Sequence, residues 1–308
     1  MNTALKITAF ATAVAATFGT AYGVGQSIDP VTNEPPAVRH GEHDDTNHAA
    51  TPPGGLQISD RGYTLDLKTP RVRAGEKQRL RFAVVDDASG RNVTAYRTEH
   101  DKELHLIVAS RDLTTYRHLH PERAADGTWS TPVELPEAGG YRVFADFRPE
   151  DAKGEAKEGV TLGADLGAAG TYRPKELPAH ATTTRVDGYD VTLKGELKTG
   201  AGGELTLDVT RNGRPVADLQ PYLGAYGHLV ALRAGDLAYL HVHPVGAPGD
   251  GATKAGPGIT FGATAPSKGA YRLFLDFRHG GEVHTAAFTV HAGDGGHTAP
   301  DGADAHRH

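Results

Sequence analysis

The chain has 308 residues, 38% of them apolar and 23% charged, with a formal net charge of −6. That length holds two domains of ordinary size, and the acidic balance argues against a nucleic-acid partner. Cysteine is absent and Met1 is the sole methionine, which excludes disulfides, thiolate metal sites and the Cys-dependent blue-copper arrangement.

The first element is an apolar run from Ile7 to about Gly25, preceded by Lys6 and followed by Asp29 and a Pro-rich stretch. Residues 1–25 therefore read as a signal peptide or an N-terminal membrane anchor. The expected location is extracytoplasmic, with membrane contact only through this segment. Residues 26–55 contain "EPPAVRHGEHDDTNHAATPPGG" and read as a disordered linker.

From residue 56 the chain is written twice. The first copy, 56–170, carries "GYTLDLK", "ELHLIVASRDLTTYRHLHPE" and "GGYRVFADFRP"; the second, 187–293, carries "GYDVTLK", "YGHLVALRAGDLAYLHVHP" and "GAYRLFLDFRH". In the first copy, strands are predicted at 63–68, 78–85, 104–110, 114–118, 131–135, 141–148 and 160–166. Tyr271, Leu273, Leu275 and Phe277 alternate in the second copy, and "RNGRP" and "RHGGE" look like hairpin turns. No segment after residue 30 has helical periodicity. The expected fold is all-β: two tandem immunoglobulin-like or cupredoxin-like β-sandwich domains from an internal duplication, with a jelly roll as runner-up. Residues 171–186 read as the interdomain linker and 294–308 as a disordered His-rich tail.

Chemistry concentrates in histidine. His105 is followed after 13 and 15 residues by His118 and His120, and His228 after the same intervals by His241 and His243. Each set should place one histidine on a strand and a His-x-His pair on its antiparallel neighbour. Side chains two apart on a strand share a face, and cross-strand Cβ atoms lie ~5 Å apart. Three imidazoles then converge in each copy, as nitrogen ligands for a divalent metal, Cu(II) or Zn(II). The local arrangement resembles the zinc site of carbonic anhydrases, on a different fold. The competing reading makes the six histidines packing or hydrogen-bonding groups, with Tyr116 and Tyr239 on the same faces.

Asp146 and Asp276 occupy equivalent positions. An inward carboxylate would orient an imidazole, but the favoured reading is solvated charge protecting an edge strand. His40, His43 and His48, with His291, His297, His306 and His308 at the other end, offer loose metal binding.

The runs "DLQPYLGAYGHLVALRAGDLAYLHVHP" and "HLIVASRDLTTYRHLHPE" resemble a group of actinobacterial exported or membrane-anchored proteins, some labelled heavy-metal-associated. The resemblance spans about residues 56–293. It implies an extracytoplasmic location and metal handling, and supplies no reaction. "GDLAYLHVH" also fits the Gly-x5-His-x-His opening of the cupin motif at Gly235, His241 and His243. The acidic residue expected after it is missing and the first copy lacks the glycine, so the cupin match is poor.

The functional expectation is an extracytoplasmic protein that binds, buffers or delivers a divalent metal, with the metal ion and a second envelope protein as partners. Two other classes compete: a non-metal structural or interaction module of the cell envelope, and a hydrolase or hydratase using metal-bound water. The last needs a general base and an open position, and no second acidic residue recurs in both copies.

Overall fold

The computed structural model describes residues 52–293 except 152, 201 and 241. Among these residues every regular element is a strand, and no helix is long and apolar enough to cross a membrane. In the first repeat the strands are β1 (Ser59–Asp60), β2 (Tyr63–Leu67), β3 (Arg71–Arg73), β4 (Lys77–Asp86), β5 (Arg91–Asn92), β6 (Tyr96–Arg97), β7 (Leu104–Ser110), β8 (Tyr116–Leu119), β9 (Glu122–Arg123), β10 (Thr128–Glu134), β11 (Gly139–Pro149) and β12 (Val160–Ala169). The second repeat has β13 (Thr183–Val186), β14 (Tyr189–Lys194), β15 (Gly203–Arg211), β16 (Arg214–Pro215), β17 (Gly227–Arg233), β18 (Tyr239–Leu240), β19 (His243–Pro244), β20 (Gly258–Ala263), β21 (Gly269–His279) and β22 (Glu282–Ala292).

Each repeat is a two-sheet sandwich of immunoglobulin-like type. In the first, one sheet runs β1-β2-β4-β10-β9 and the other β3-β12-β11-β7-β8. The second repeats this with β13-β14-β15-β20-β19 facing β18-β17-β21-β22. Inward residues alternate along the strands and fill each core, with Leu65, Phe82, Leu106 and Val143 in the first and Val191, Leu207, Phe261 and Leu273 in the second. Both repeats carry the tyrosine corner of such sandwiches: the Tyr141 hydroxyl donates to the Glu137 carbonyl at 2.8 Å, and Tyr271 to Ser267 at 2.8 Å. Two hairpins turn where Gly and Asn permit positive φ: Asn212–Gly213 between β15 and β16, and Gly280–Gly281 between β21 and β22.

A third apolar layer lies between the repeats. The outer faces of the β7- and β17-containing sheets meet there through Ile107, Tyr116, Phe144, Val230, Tyr239 and Phe274. The contacts are reciprocal: Tyr116 stacks on Phe274 at 4.2 Å between ring centroids, and Tyr239 approaches Phe144 at 5.6 Å. Burying a side chain of this size contributes ~1.5–3 kcal/mol, so this layer is a substantial part of the fold. It explains why β7 and β17 are apolar on both faces.

Pro52–Gly55, at the end of the segment that composition assigns to the linker, is bonded into this layer. Tyr239 N–H donates to the Gly54 carbonyl and Gly55 N–H to the Thr161 carbonyl, while the buried Arg142 guanidinium donates to the carbonyls of Gly55 and Leu56. Glycine is required because a Cβ on Gly55 (φ +74°) would lie 2.5 Å from the Phe144 ring. Within 171–186, residues from Thr183 onward pair with β14.

Candidate metal centre

β7 and β8 pair antiparallel with Ile107 opposite His118 and Ala109 opposite Tyr116. Alternation then puts His105, Ile107 and Ala109 on the same face as Tyr116 and His118. This is the face turned toward the second repeat, since Leu104, Leu106 and Val108 fill the first core. His120 follows one residue past β8. The ligand-capable nitrogens of His105, His118 and His120 all lie within 4.8 Å of one another. For comparison, tetrahedral zinc with Zn–N bonds of ~2.1 Å separates its nitrogens by ~3.4 Å.

The partners assign the tautomers. His105 Nε2–H donates to the Glu99 carbonyl at 3.2 Å, leaving a lone pair on Nδ1. His118 Nδ1–H donates to the Asp276 carboxylate at 2.9 Å, leaving a lone pair on Nε2. Those two remaining nitrogens face each other at 3.1 Å. Two lone pairs at that distance repel unless a proton or a metal cation lies between them. His120 Nε2 is buried without a hydrogen-bond partner, so a third donor is unspent. Burial, helped by the neighbouring His118, pushes His105 down to about 2 and His120 down to about 3. Neutral imidazole is the form that ligates metal.

Asp276 corrects the edge-strand reading. It is 2% exposed on β21, which lies between β17 and β22, so it protects no edge. It accepts from His118, from Thr285 Oγ1 at 2.6 Å and, more weakly, from the Tyr116 hydroxyl at 3.4 Å. Asp146 sits likewise on the interior strand β11, where Thr161 Oγ1 donates to it at 2.8 Å. A carboxylate from one repeat thus orients an imidazole of the other.

In the second copy His228 and His243 lie on strands of different sheets. His228, 9% exposed on β17, turns into the first repeat's cluster, its ring centroid 6.0 Å from His105 and 6.1 Å from His118. His243 lies on β19, which pairs with β20 in the opposite sheet, with His243 beside Gly262. His241 lies outside the described residues, as do His40, His43, His48, His297, His306 and His308; His291 sits in β22, its ring 5.7 Å from His180. The physical reason is where the chain changes sheets. β19 joins the opposite sheet at His243, the equivalent of His120, whereas β9 joins its sheet only at Glu122, two residues later in the repeat.

Two further side chains border the cluster. His100 lies 5.1 Å from His228 and 6.2 Å from His105 between ring centroids. Tyr222 lies 6.1 Å from His120. The His100 turn and Tyr222–Leu223 are near-equivalent in the two repeats: Glu99 brings its carbonyl to His105, and Tyr222 and Leu223 bring theirs to His228.

A family described as a domain of unknown function, DUF8832, matches residues 57–163 and 184–294, one copy per repeat. No curated protein matches the chain. Among solved structures, the chain is similar to the Escherichia coli adhesin FdeC, with 14% identity and a TM-score of 0.23 over 77% of this chain and 65% of that one. It is similar also to InvD of Yersinia pseudotuberculosis, with 14% identity and a TM-score of 0.23 over 79% and 61%. The chain spans less than two thirds of either structure, and at such scores the likeness carries no argument about a partner or an activity. Because the family matches both repeats and most of the residues, this chain belongs to the DUF8832 family.

Proposed function

We propose that this protein binds a divalent transition metal, Cu(II) or Zn(II), through His105, His118 and His120, and acts in metal binding, buffering or delivery outside the cytoplasmic membrane. The observation that carries the reading is the 3.1 Å approach of His105 Nδ1 to His118 Nε2, each with its other nitrogen committed to an acceptor. The unpartnered Nε2 of His120 adds a third donor. All-nitrogen sites of this kind suit zinc and copper. Asp276 behind His118 fits the carboxylate–histidine–metal arrangement that fixes a ligand ring and raises its basicity. The apolar run over 7–25 supports the extracytoplasmic setting, and delivery would involve a second envelope protein as acceptor.

A second reading is favoured by the Asp276–His118 contact, which ties one repeat to the other with side chains 3% and 6% exposed. A proton then takes the metal's place between the two rings, and the protein is a structural or interaction module of the envelope. Calorimetric titration of the full chain with Zn²⁺ and Cu²⁺, beside the His118→Ala variant, separates the two. The metal reading expects one site to disappear in the variant while loose binding by the terminal histidines persists. Identical titrations with a large loss of stability in the variant would establish the structural reading.

A further inference from the structure

The second repeat holds its first histidine as the first repeat does. Glu99 and Lys102 bond each other's backbone across a tight turn, and so do Tyr222 and Ala225. In both turns the two central residues take positive φ: His100 (49°) and Asp101 (60°), then Leu223 (53°) and Gly224 (70°). A left-handed leucine or histidine is strained by about 1 kcal/mol or more and persists only where the surroundings impose it. Here the turn aims carbonyls at a ring three residues downstream. His105 Nε2 meets Glu99 O, and His228 Nε2 meets both Tyr222 O and Leu223 O at 3.0 Å. His228 Nε2 therefore carries the hydrogen, and its Nδ1 keeps a lone pair, as in His105.

Position agrees with chemistry. Two imidazoles on one ion with bonds of ~2.1 Å place their ring centroids about 5–6 Å apart. His228 comes close to that spacing toward His105 (6.0 Å) and His118 (6.1 Å), although its nitrogens lie outside the 4.8 Å grouping of the other three and must close in to ligate. A cavity of about 40 Å³ adjoins them, lined by His100, His105, His118 and His228 together with Asp146 and Tyr239, while His120 stands outside its lining. That volume is on the order of one water molecule or one metal ion.

We propose that His228 Nδ1 is the fourth ligand of the metal, so that the ion bridges the two repeats. The inference rests on the metal reading above and deepens it. The ion is coordinatively closed by four imidazoles, three from the first repeat and one from the second. The duplication that kept the His228 spacing thereby contributes a ligand to its neighbour's site. Closed four-coordinate sites are characteristic of structural or storage metal rather than catalytic metal, which keeps a position open.

The test uses the full chain with two probes, Zn²⁺ affinity by chelator competition and the visible spectrum of the Co²⁺ form with and without azide. In the unsubstituted protein, four-coordinate Co²⁺ bands that azide leaves unchanged are expected. His228→Ala should weaken Zn²⁺ binding by ~100-fold or more, beyond the 10–100-fold typical of losing an outer partner of a ligand. It should also open a position, so that azide alters the spectrum. His228→Gln, milder for the turn, should do the same, and melting of the metal-free variants checks their folding. Zn²⁺ affinity and azide response unchanged in both variants would overturn the fourth-ligand assignment while leaving the three-histidine site standing. Absence of any His118-dependent Co²⁺ spectrum in the unsubstituted protein would overturn both.

Discussion

The two repeats carry the same histidine spacing and use it differently. In the first, β8 stays in the sheet with β7 long enough to bring His118 and His120 beside His105. In the second, the chain crosses to the opposite sheet two residues sooner, and His243 pairs beside Gly262 while His228 joins the other repeat's cluster. Spacing along the chain thus sets which residues are available. The residue at which a strand changes sheets sets which of them meet.

The largest expected effect comes from breaking the link between the repeats. His118→Ala removes the partner of a buried carboxylate, Asp276, and leaves an uncompensated buried charge. That change should cost about 3–5 kcal/mol, read as a lowered urea midpoint, and should abolish the specific metal site. A variant as stable as the parent would show that Asp276 is not held as an anion by His118. Truncating the stacked ring with Phe274→Ala should cost a comparable ~3–5 kcal/mol through the cavity left against Tyr116, with metal affinity reduced only as the repeats loosen. A stability loss below about 1 kcal/mol would remove the inter-repeat layer from the energetic account.

Asp276→Asn keeps the shape and removes the charge. Metal affinity should fall 10–100-fold, measured by chelator competition. An unchanged affinity would mean that Asp276 does not act on the metal through His118.

The metal-free protein should lose stability in mild acid. Burial holds His105, His120 and His228 down to about 2, 3 and 4, against ~6.5 in the unfolded chain. The unfolded state therefore binds protons first. The contribution is fully present above pH ~6.5 and declines as pH falls from there through about 4 toward about 2. Urea midpoints in chelator at several pH values check this, and a flat profile over that window would contradict neutral burial. The smallest effect should be that of His243→Ala: within about twofold of the parent in metal affinity, while His120→Ala loses tenfold or more by removal of a ligand. Equal losses would restore a symmetric role for the two His-x-His pairs.

Much of the architecture was legible in residues. Alternation in "YRLFLDF" placed Tyr271, Leu273, Leu275 and Phe277 in the second core, where they are buried. Strands expected at 63–68, 104–110 and 160–166 correspond to β2, β7 and β12. The duplication and the His105, His118, His120 register were also visible. The inter-repeat layer was not recognised, although "LHLIVAS" and "GHLVALR" hinted at it: runs apolar on both faces signal strands covered on both sides. The edge reading of Asp276 failed because strand order is a property of the sheet, and no local pattern says that β21 is interior.

What the sequence determined alone is local: alternation, turns that tolerate positive φ, the absence of thiolates, and a repeated set of imidazoles at fixed intervals. These follow from covalent geometry and the two-residue period of a strand. What only the tertiary structure decided is which groups share a space. His118 meets Asp276 across 158 residues of chain, and His228 approaches His105 from the other repeat. Both depend on where strands end and on how two outer sheet faces pack, because apolar burial drives that docking without regard to chain order.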